Sequence, residues 1–279
     1  MAGLPYAEVI GDPIAHSKSP LIHNFWLEKL GLEGDYRATR ITAAELPSYL
    51  ASRREDPDWR GCNLTMPLKQ AAWAMHEDHD SNAGGALAVN LIVRGDDGAL
   101  HFTNTDVEGI SASLFGPKLQ GARVELIGAG GAALAALQAL RFLKPAEVGV
   151  FLRDTSKQPF DLMRYYGLKG EVRMLHPGCL DLGRADLLIN ATPLGMNGYP
   201  PFPDYLLSGL VRMPPGAAVF DMVYSPVDTE LLKAARGLGL KAIDGLTMLM
   251  GQAAAGFEKL FLAPAPRQHD FELRKLLTS

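Results

Sequence analysis

The chain has 279 residues, 47% of them hydrophobic and 21% charged, a balance that builds real cores and argues against extensive disorder. That length suits one large domain or two of ordinary size. A formal charge of −4 argues against nucleic acid as the main partner, since phosphate binding calls for a positive field.

Short β-like runs alternate with helix-like runs along most of the chain. Residues 6–11 (YAEVIG) read as a strand, and 19–31 as a helix with Ser19 as N-cap and Pro20 at its first position. A strand is expected over 35–41 and a helix over 43–55, with Pro47 near its start. A short strand follows at 61–65 (GCNLT), then a proline-opened helix over 67–76. This βαβαβα order indicates α/β layers with mainly parallel strands. Residues 78–88 are rich in glycine and alanine and read as irregular. Residues 90–104 read as a β-hairpin turning at Asp97-Gly98. A helix over 105–116, ending at Gly116 before Pro117, marks a domain junction.

A second α/β series begins at residue 122. Strand-like runs lie at 122–127, 146–154, 172–176, 185–190 and 217–224, and KAI at 241–243 is a further strand. Helices are expected from about 131, at 229–239, at 245–260 and at 269–277. The proline-rich stretch 198–205 (GYPPFPDY) reads as a surface loop. The most apolar segment, 126–143, carries Gly128, Gly130, Gly131, Gln138 and Arg141. It therefore reads as a strand, a turn and a buried helix, not as a membrane span. Cys62 and Cys179 have no metal-like spacing and fit a reducing compartment. The start of the chain lacks a basic region followed by an apolar stretch. No signal peptide and a cytoplasmic protein are the expectation.

VELIGAGGAA, residues 124–133, approximates the G-x-G-x-x-(G/A) pattern in a strand–turn–helix setting. Gly128 permits the tight turn, Gly130 lets backbone approach a pyrophosphate, and the small Ala133 lets the helix pack on the strand. The helix N-terminus offers free N–H groups to phosphate. At the end of the next strand, Arg153 and Lys157 flank Asp154. Two cations favour the 2′-phosphate of NADP. A carboxylate at that place suits the ribose hydroxyls of NAD, so NAD stays possible.

Other polar groups gather at expected strand ends, where an α/β enzyme assembles its site. They are Ser17 and Ser19 in GDPIAHSKSP, Thr65 and Lys69 in GCNLTMPLKQ, and Asn90, Asn104 and Asp106 around the hairpin. A lysine beside a carboxylate can hold a substrate hydroxyl and deliver a proton to a forming alkoxide. His76 and His79 share a helix face at i, i+3, but no third His or Cys motif lies close by, so no metal is expected. His16 is read as loop support, Phe25 and Trp26 as core, and Met250 as helix packing.

Seven motifs occur in order: GDPIAHSKSPLIHN, GCNLTMPLKQAA, TNTD, IGAGGAA, INATPLGM, DMVYSPVDTELLKAA and DGLTMLMGQAAAGFE. Together they resemble the shikimate dehydrogenases, from residue 7 to about 260. The resemblance implies NADP-dependent reduction of 3-dehydroshikimate to shikimate in aromatic (chorismate) biosynthesis. It implies Lys69 and Asp106 as the catalytic pair. Ser17 and Ser19 would hold the substrate carboxylate, and Thr65, Asn90, Tyr224 and Gln252 would contact the rest of the substrate. Gly128, Gly130, Gly131 and Ala132 would carry the cofactor phosphates. Arg153 and Lys157 would take the 2′-phosphate, and Met222, Gly245 and Met248 would lie near the nicotinamide.

The implied fold is two α/β domains. A substrate domain spans 1–105 and is completed by 241–279, with C-terminal helices returning to it. A Rossmann-like, doubly wound NADP domain spans 106–240. The partner is a small molecule, with neither nucleic acid nor membrane, and the protein is expected as a monomer or homodimer. Leu91, Phe102 and Val107 depart from residues the family usually carries there. These departures put the ring pocket in question and make a quinate/shikimate range the neighbouring reading. A dehydrogenase for another carbocycle and a non-catalytic binding protein on the same fold are the further alternatives.

Overall fold

The computed structural model describes residues 3–75, 81–114, 119–155, 161–176 and 182–279. The chain divides into two units, one of residues 1–109 with 250–279 and the other of residues 110–249.

In the first unit, β1 (Tyr6–Gly11), β2 (Asp35–Arg40), β3 (Trp59–Leu64), β4 (Leu91–Arg94) and β5 (Leu100–Thr103) form one sheet in the order β2-β1-β3-β4-β5. β1 is parallel to both neighbours. β4 and β5 form the antiparallel hairpin, whose Gly98 takes φ +79° at the expected turn. The central strands are apolar on both faces, as a covered sheet requires. Tyr6, Ile10, Leu64 and Phe102 pack on one face, and Ala7, Val9, Tyr36 and Leu91 on the other. The helices are α1 (Ser19–Leu30), α2 (Leu46–Arg54), α3 (Leu68–Ala74), α4 (Ser81–Ala86) and α5 (Asp106–Ser113).

The second unit holds a six-stranded parallel sheet. Its strands are β6 (Arg123–Ile127), β7 (Glu147–Leu152), β8 (Gly170–Met174), β9 (Leu187–Asn190), β10 (Ala218–Asp221) and β11 (Lys241–Ile243). Their order, β8-β7-β6-β9-β10-β11, is the 3-2-1-4-5-6 winding of dinucleotide-binding sheets. The strand order reverses between β6 and β9, a parallel pair that sets Ile127 beside Asn190. The helices are α6 (Gly131–Leu143), α7 (Leu162–Tyr166), α8 (Asp204–Gly209) and α9 (Glu230–Gly237), and then α10 (Gly245–Phe261). The chain leaves this unit within α10 and ends in α11 (Asp270–Thr278).

Three local expectations change. α1 begins at Ser19 itself, and Lys18 takes the cap position with helical backbone (φ −84°, ψ −7°) and no side-chain cap. The hydroxyl that meets the helix start belongs to Ser17, whose Oγ accepts from the Ser19 N–H at 3.3 Å. Part of the stretch expected to be irregular is the short helix α4, with Ala83 and Ala86 fully buried. The proline-rich stretch is not wholly surface: Phe202 is only 3% exposed and packs with Leu206, Leu210 and Leu232. The expected helix end at Gly116–Pro117, the His76/His79 pair and Cys179 lie outside the described residues. Among the described residues no helix is long and apolar enough to cross a membrane.

Candidate active site

Lys69 stands on the first turn of α3, directly after Thr65-Met66-Pro67, and Asp106 is the first residue of α5. Strand pairing brings these helix starts together. The Val89 N–H donates to the Lys69 carbonyl at 2.9 Å, and the Asn90 N–H to the Thr103 carbonyl at 3.2 Å. Lys69 Nζ then lies 2.5 Å from Asp106 Oδ2. The other carboxylate oxygen accepts from Asn90 Nδ2 at 2.8 Å, so both oxygens are engaged and the carboxylate has one orientation. The Asp106 N–H donates to Asn104 Oδ1 at 2.9 Å, and Asn104 Nδ2 to the Ala88 carbonyl at 2.8 Å. A carboxylate in the first turn of a helix is further favoured by the helix dipole.

Exposure separates the two partners: the Lys69 side chain is 23% exposed and that of Asp106 6%. The lysine side chain is therefore partly accessible, while the carboxylate that orients it stays covered. Asn90 Oδ1 accepts from the Thr105 N–H at 2.7 Å, and Thr105 Oγ1 lies 3.3 Å from Gln252 Oε1 on α10. Lys69, Asp106, Asn90 and Gln252 are thus joined in one network, with Thr105 as the bridge. Sequence reasoning missed Thr105, although it stands between two singled-out residues in TNTD.

Thr65 leaves the end of β3 with its N–H donating to the Ile10 carbonyl at 3.0 Å. A Cβ on Gly11 would collide with the Thr65 methyl, so this glycine lets Thr65 approach the loop that carries Ser17 and Ser19. Ser19 is 7% exposed. Leu91 and Phe102 are 0% and 5% exposed within the two apolar layers, and Val107 is 4% exposed. The departures at Leu91 and Phe102 are absorbed by core packing.

In the second unit the glycine turn follows β6 at the point where the sheet reverses. Gly128 has φ +122°, a conformation side chains rarely adopt, and an added Cβ would lie 2.9 Å from the Ala191 carbonyl oxygen. A Cβ on Gly130 would meet nothing within 4 Å, so the space before the first N–H groups of α6 is open. Gly131 and Ala132 form that first turn, and Ala133 is fully buried against the sheet. A Gly-only turn, an open approach and free helix N–H groups at a topological reversal fit a dinucleotide pyrophosphate. Arg153 is exposed just past β7, and Lys157 lies outside the described residues. Met222 and Tyr224 follow β10. Gly245 opens α10 tightly against the Met222 and Val223 carbonyls, where a Cβ would clash, and Met248 lies one turn further on.

Sequence reasoning also assigned nothing to Asn190, Asp221 and Thr229, although all three lie in quoted motifs. The Asp221 carboxylate is buried, and among the described residues no cation pairs with it. It accepts from Asn190 Nδ2 at 2.8 Å, Thr229 Oγ1 at 2.6 Å and the Val223 N–H at 3.1 Å. Burial raises its pKa above the usual carboxylate value, against the lowering effect of these three bonds.

A covered carboxylate presenting a lysine in one unit, and a doubly wound sheet with a glycine turn in the other, define a class: the two-domain α/β dehydrogenases. Residues 9–92 match the family model of the shikimate dehydrogenase substrate binding domain. The chain is 50% identical over 275 residues to the shikimate dehydrogenase (NADP(+)) of Sphingopyxis alaskensis, covering 99% of this chain and 97% of that one. The Thermus thermophilus shikimate 5-dehydrogenase solved with NADP(H) and shikimate is 33% identical, with a TM-score of 0.83 over 98% of this chain and all of that one. The Listeria monocytogenes shikimate 5-dehydrogenase solved with shikimate and NAD is 27% identical, with a TM-score of 0.86 over 98% and 96% of the two chains. The chain belongs to the shikimate dehydrogenase family.

Proposed function

We propose that this chain is an NADP-dependent shikimate dehydrogenase, interconverting 3-dehydroshikimate and shikimate in chorismate biosynthesis. The observation that carries the reading is the Lys69–Asp106–Asn90 constellation, an ammonium held at 2.5 Å by a carboxylate that an amide fixes in turn. In the reducing direction the Lys69 ammonium gives a proton to the alkoxide forming on the substrate, and in the oxidising direction the amine takes it back. Asp106 aims Nζ. Asn90 and Gln252 bind ring hydroxyls, Thr65 and Tyr224 border the ring, and Ser17 and Ser19 hold the carboxylate. NADPH, when bound, supplies the hydride.

The unit of residues 1–109 with 250–279 binds the substrate, and residues 110–249 bind the cofactor. Gly128, Gly130, Gly131 and Ala132 admit the phosphates. Arg153 and Lys157 select the 2′-phosphate, and Met222, Gly245 and Met248 border the nicotinamide. The buried positions of Leu91 and Phe102 favour shikimate over a broad quinate range. The protein works in the cytoplasm as a monomer or homodimer. Initial rates with shikimate and quinate, each with NADP and with NAD, test the reading at the reduced-nicotinamide absorbance band. Fastest turnover is expected for shikimate with NADP. No turnover in any of the four combinations overturns it.

A further inference from the structure

Asp221 is the last residue of β10 and pairs in register with Asn190, the last residue of β9. From that position three bonds run to three separate pieces of backbone. Asn190 reaches the turn after β9: its Oδ1 accepts from the Thr192 N–H at 3.1 Å and Thr192 Oγ1 at 2.6 Å. Thr192 Oγ1 in turn accepts from the Leu194 N–H at 3.2 Å. The Val223 N–H ties down the turn after β10, which carries Met222. Thr229 Oγ1 ties down the start of α9, where it also accepts from the Leu232 N–H.

Both tied turns lie against glycines assigned to the cofactor. A Cβ on Gly128 would press on Ala191 and Thr192, and one on Gly245 would press on Met222 and Val223. The walls of the pyrophosphate turn and of the nicotinamide region therefore share one buried anchor. Asn190 and Asp221 are fully buried and Thr229 is 1% exposed, so the anchor itself is covered from a ligand.

We propose that Asp221 is the positioning residue of the cofactor site, fixing through Asn190 and Val223 the two turns against which NADP is held, with Thr229 holding the second carboxylate oxygen and so the orientation of the first. This rests on the reading of residues 110–249 as the NADP unit. Asp221→Asn keeps the size of the side chain but removes the charge and turns one acceptor into a donor. Placed at Oδ1, the amide nitrogen deprives both Asn190 Nδ2 and the Val223 N–H of their acceptor; placed at Oδ2, it leaves them a neutral amide oxygen, a weaker acceptor than a carboxylate, so both turns are held less firmly. Displacing backbone at a binding wall weakens every interaction that wall makes with the ligand, so affinity falls by more than one hydrogen bond is worth. The expected result is a rise of about tenfold or more in the dissociation constant and KM for NADP, with KM for shikimate changed less than about threefold.

The test measures NADP affinity by calorimetry without substrate, steady-state KM for both substrates, and Tm, for wild type and Asp221→Asn. Thr229→Ala and Thr229→Ser form a second pair and carry the test if Asp221→Asn does not fold. The alanine variant should weaken NADP selectively and the serine variant, which keeps the hydroxyl, should restore it. A folded Asp221→Asn with wild-type NADP affinity, or an equal rise for both substrates, overturns the proposal. So does a lowered Tm with unchanged KM values, or equal behaviour of the alanine and serine variants. Wild-type protein that fails to bind NADP sinks the functional reading instead. Wild-type protein that binds NADP but does not turn over shikimate leaves the calorimetric arm to decide on Asp221.

Discussion

Lys69→Ala separates chemistry from packing. It removes the ammonium 2.5 Å from Asp106 Oδ2 and leaves the carboxylate with the Asn90 amide. The Lys69 side chain is 23% exposed, so water screens the pair and its loss costs about 1–2 kcal/mol of stability. A domain of ordinary stability survives that and can be assayed. The rate effect is larger. A positioned acid–base group contributes roughly a hundredfold to ten-thousandfold, equivalent to about 3–5 kcal/mol of barrier.

The loss should fall mainly on kcat, because proton delivery matters most where the alkoxide forms. Asp106 acts by aiming Nζ, so the two residues form one unit. Asp106→Asn should be slow as well, and the double variant should cost about as much as the worse single one. The assay is initial-rate shikimate oxidation with NADP across substrate concentrations, with Tm recorded for each variant. A kcat loss below tenfold in folded Lys69→Ala, or losses that multiply in the double variant, would refute this account.

Ser17→Ala should raise KM for shikimate several-fold and leave kcat and KM for NADP near wild type; unchanged substrate kinetics would make the GDPIAHSKSP stretch a loop and nothing more. Arg153→Ala should raise KM for NADP and leave KM for NAD alone, whereas equal effects on the two cofactors would remove Arg153 from the 2′-phosphate. His23 supplies a pH prediction. It is buried, stacked on Tyr36 at 4.0 Å, with neither ring nitrogen hydrogen-bonded among the described residues, and burial lowers its pKa from 6.5 to about 3. Below pH 6.5 the unfolded chain takes up a proton that the folded one refuses down to about pH 3. Its stabilising contribution is therefore fully present above pH 6.5 and is lost as pH falls toward 3, by about 1.4 kcal/mol per pH unit. His23→Phe keeps an aromatic ring on Tyr36 and should flatten the acid limb of Tm against pH; identical limbs would clear His23.

Much of the layout is legible because punctuation and period agree. Gly31 stops α1 with φ +62°, Thr229 caps α9 through the Leu232 N–H, and the apolar runs of β6, β9 and β10 are buried strands. Where local signals were weak, tertiary contact decided. SNAGGA is a poor helix former, yet Ala83 and Ala86 are fully buried and α4 forms. Phe202 sits among prolines that read as surface, and the apolar layer of the second unit takes it in. The residues of the Lys69 site were legible as types, but their adjacency was not. Lys69 and Asp106 are 37 positions apart, and only the pairing of β3, β4 and β5 brings the two helix starts together. Asn190 and Asp221 were missed for a related reason. Each looks like the polar end of an apolar strand until the β9–β10 register places them side by side.

The two carboxylates show how similar ligation gives different roles. Asp106 and Asp221 each accept from an asparagine amide at 2.8 Å, and each sits where a strand or loop meets the next element. They differ in what stands beside that amide. Asp106 has the ammonium of a side chain that is 23% exposed, so its charge is passed to a side chain that a substrate can touch. Asp221 has a threonine hydroxyl and a backbone N–H, both neutral. A charge presented through a partly exposed lysine can enter a proton transfer. The same carboxylate sealed among neutral donors can only hold backbone in place. Removing Lys69 does not turn Asp106 into a second anchor: its remaining amide bond fixes its own helix start and ties no cofactor turn.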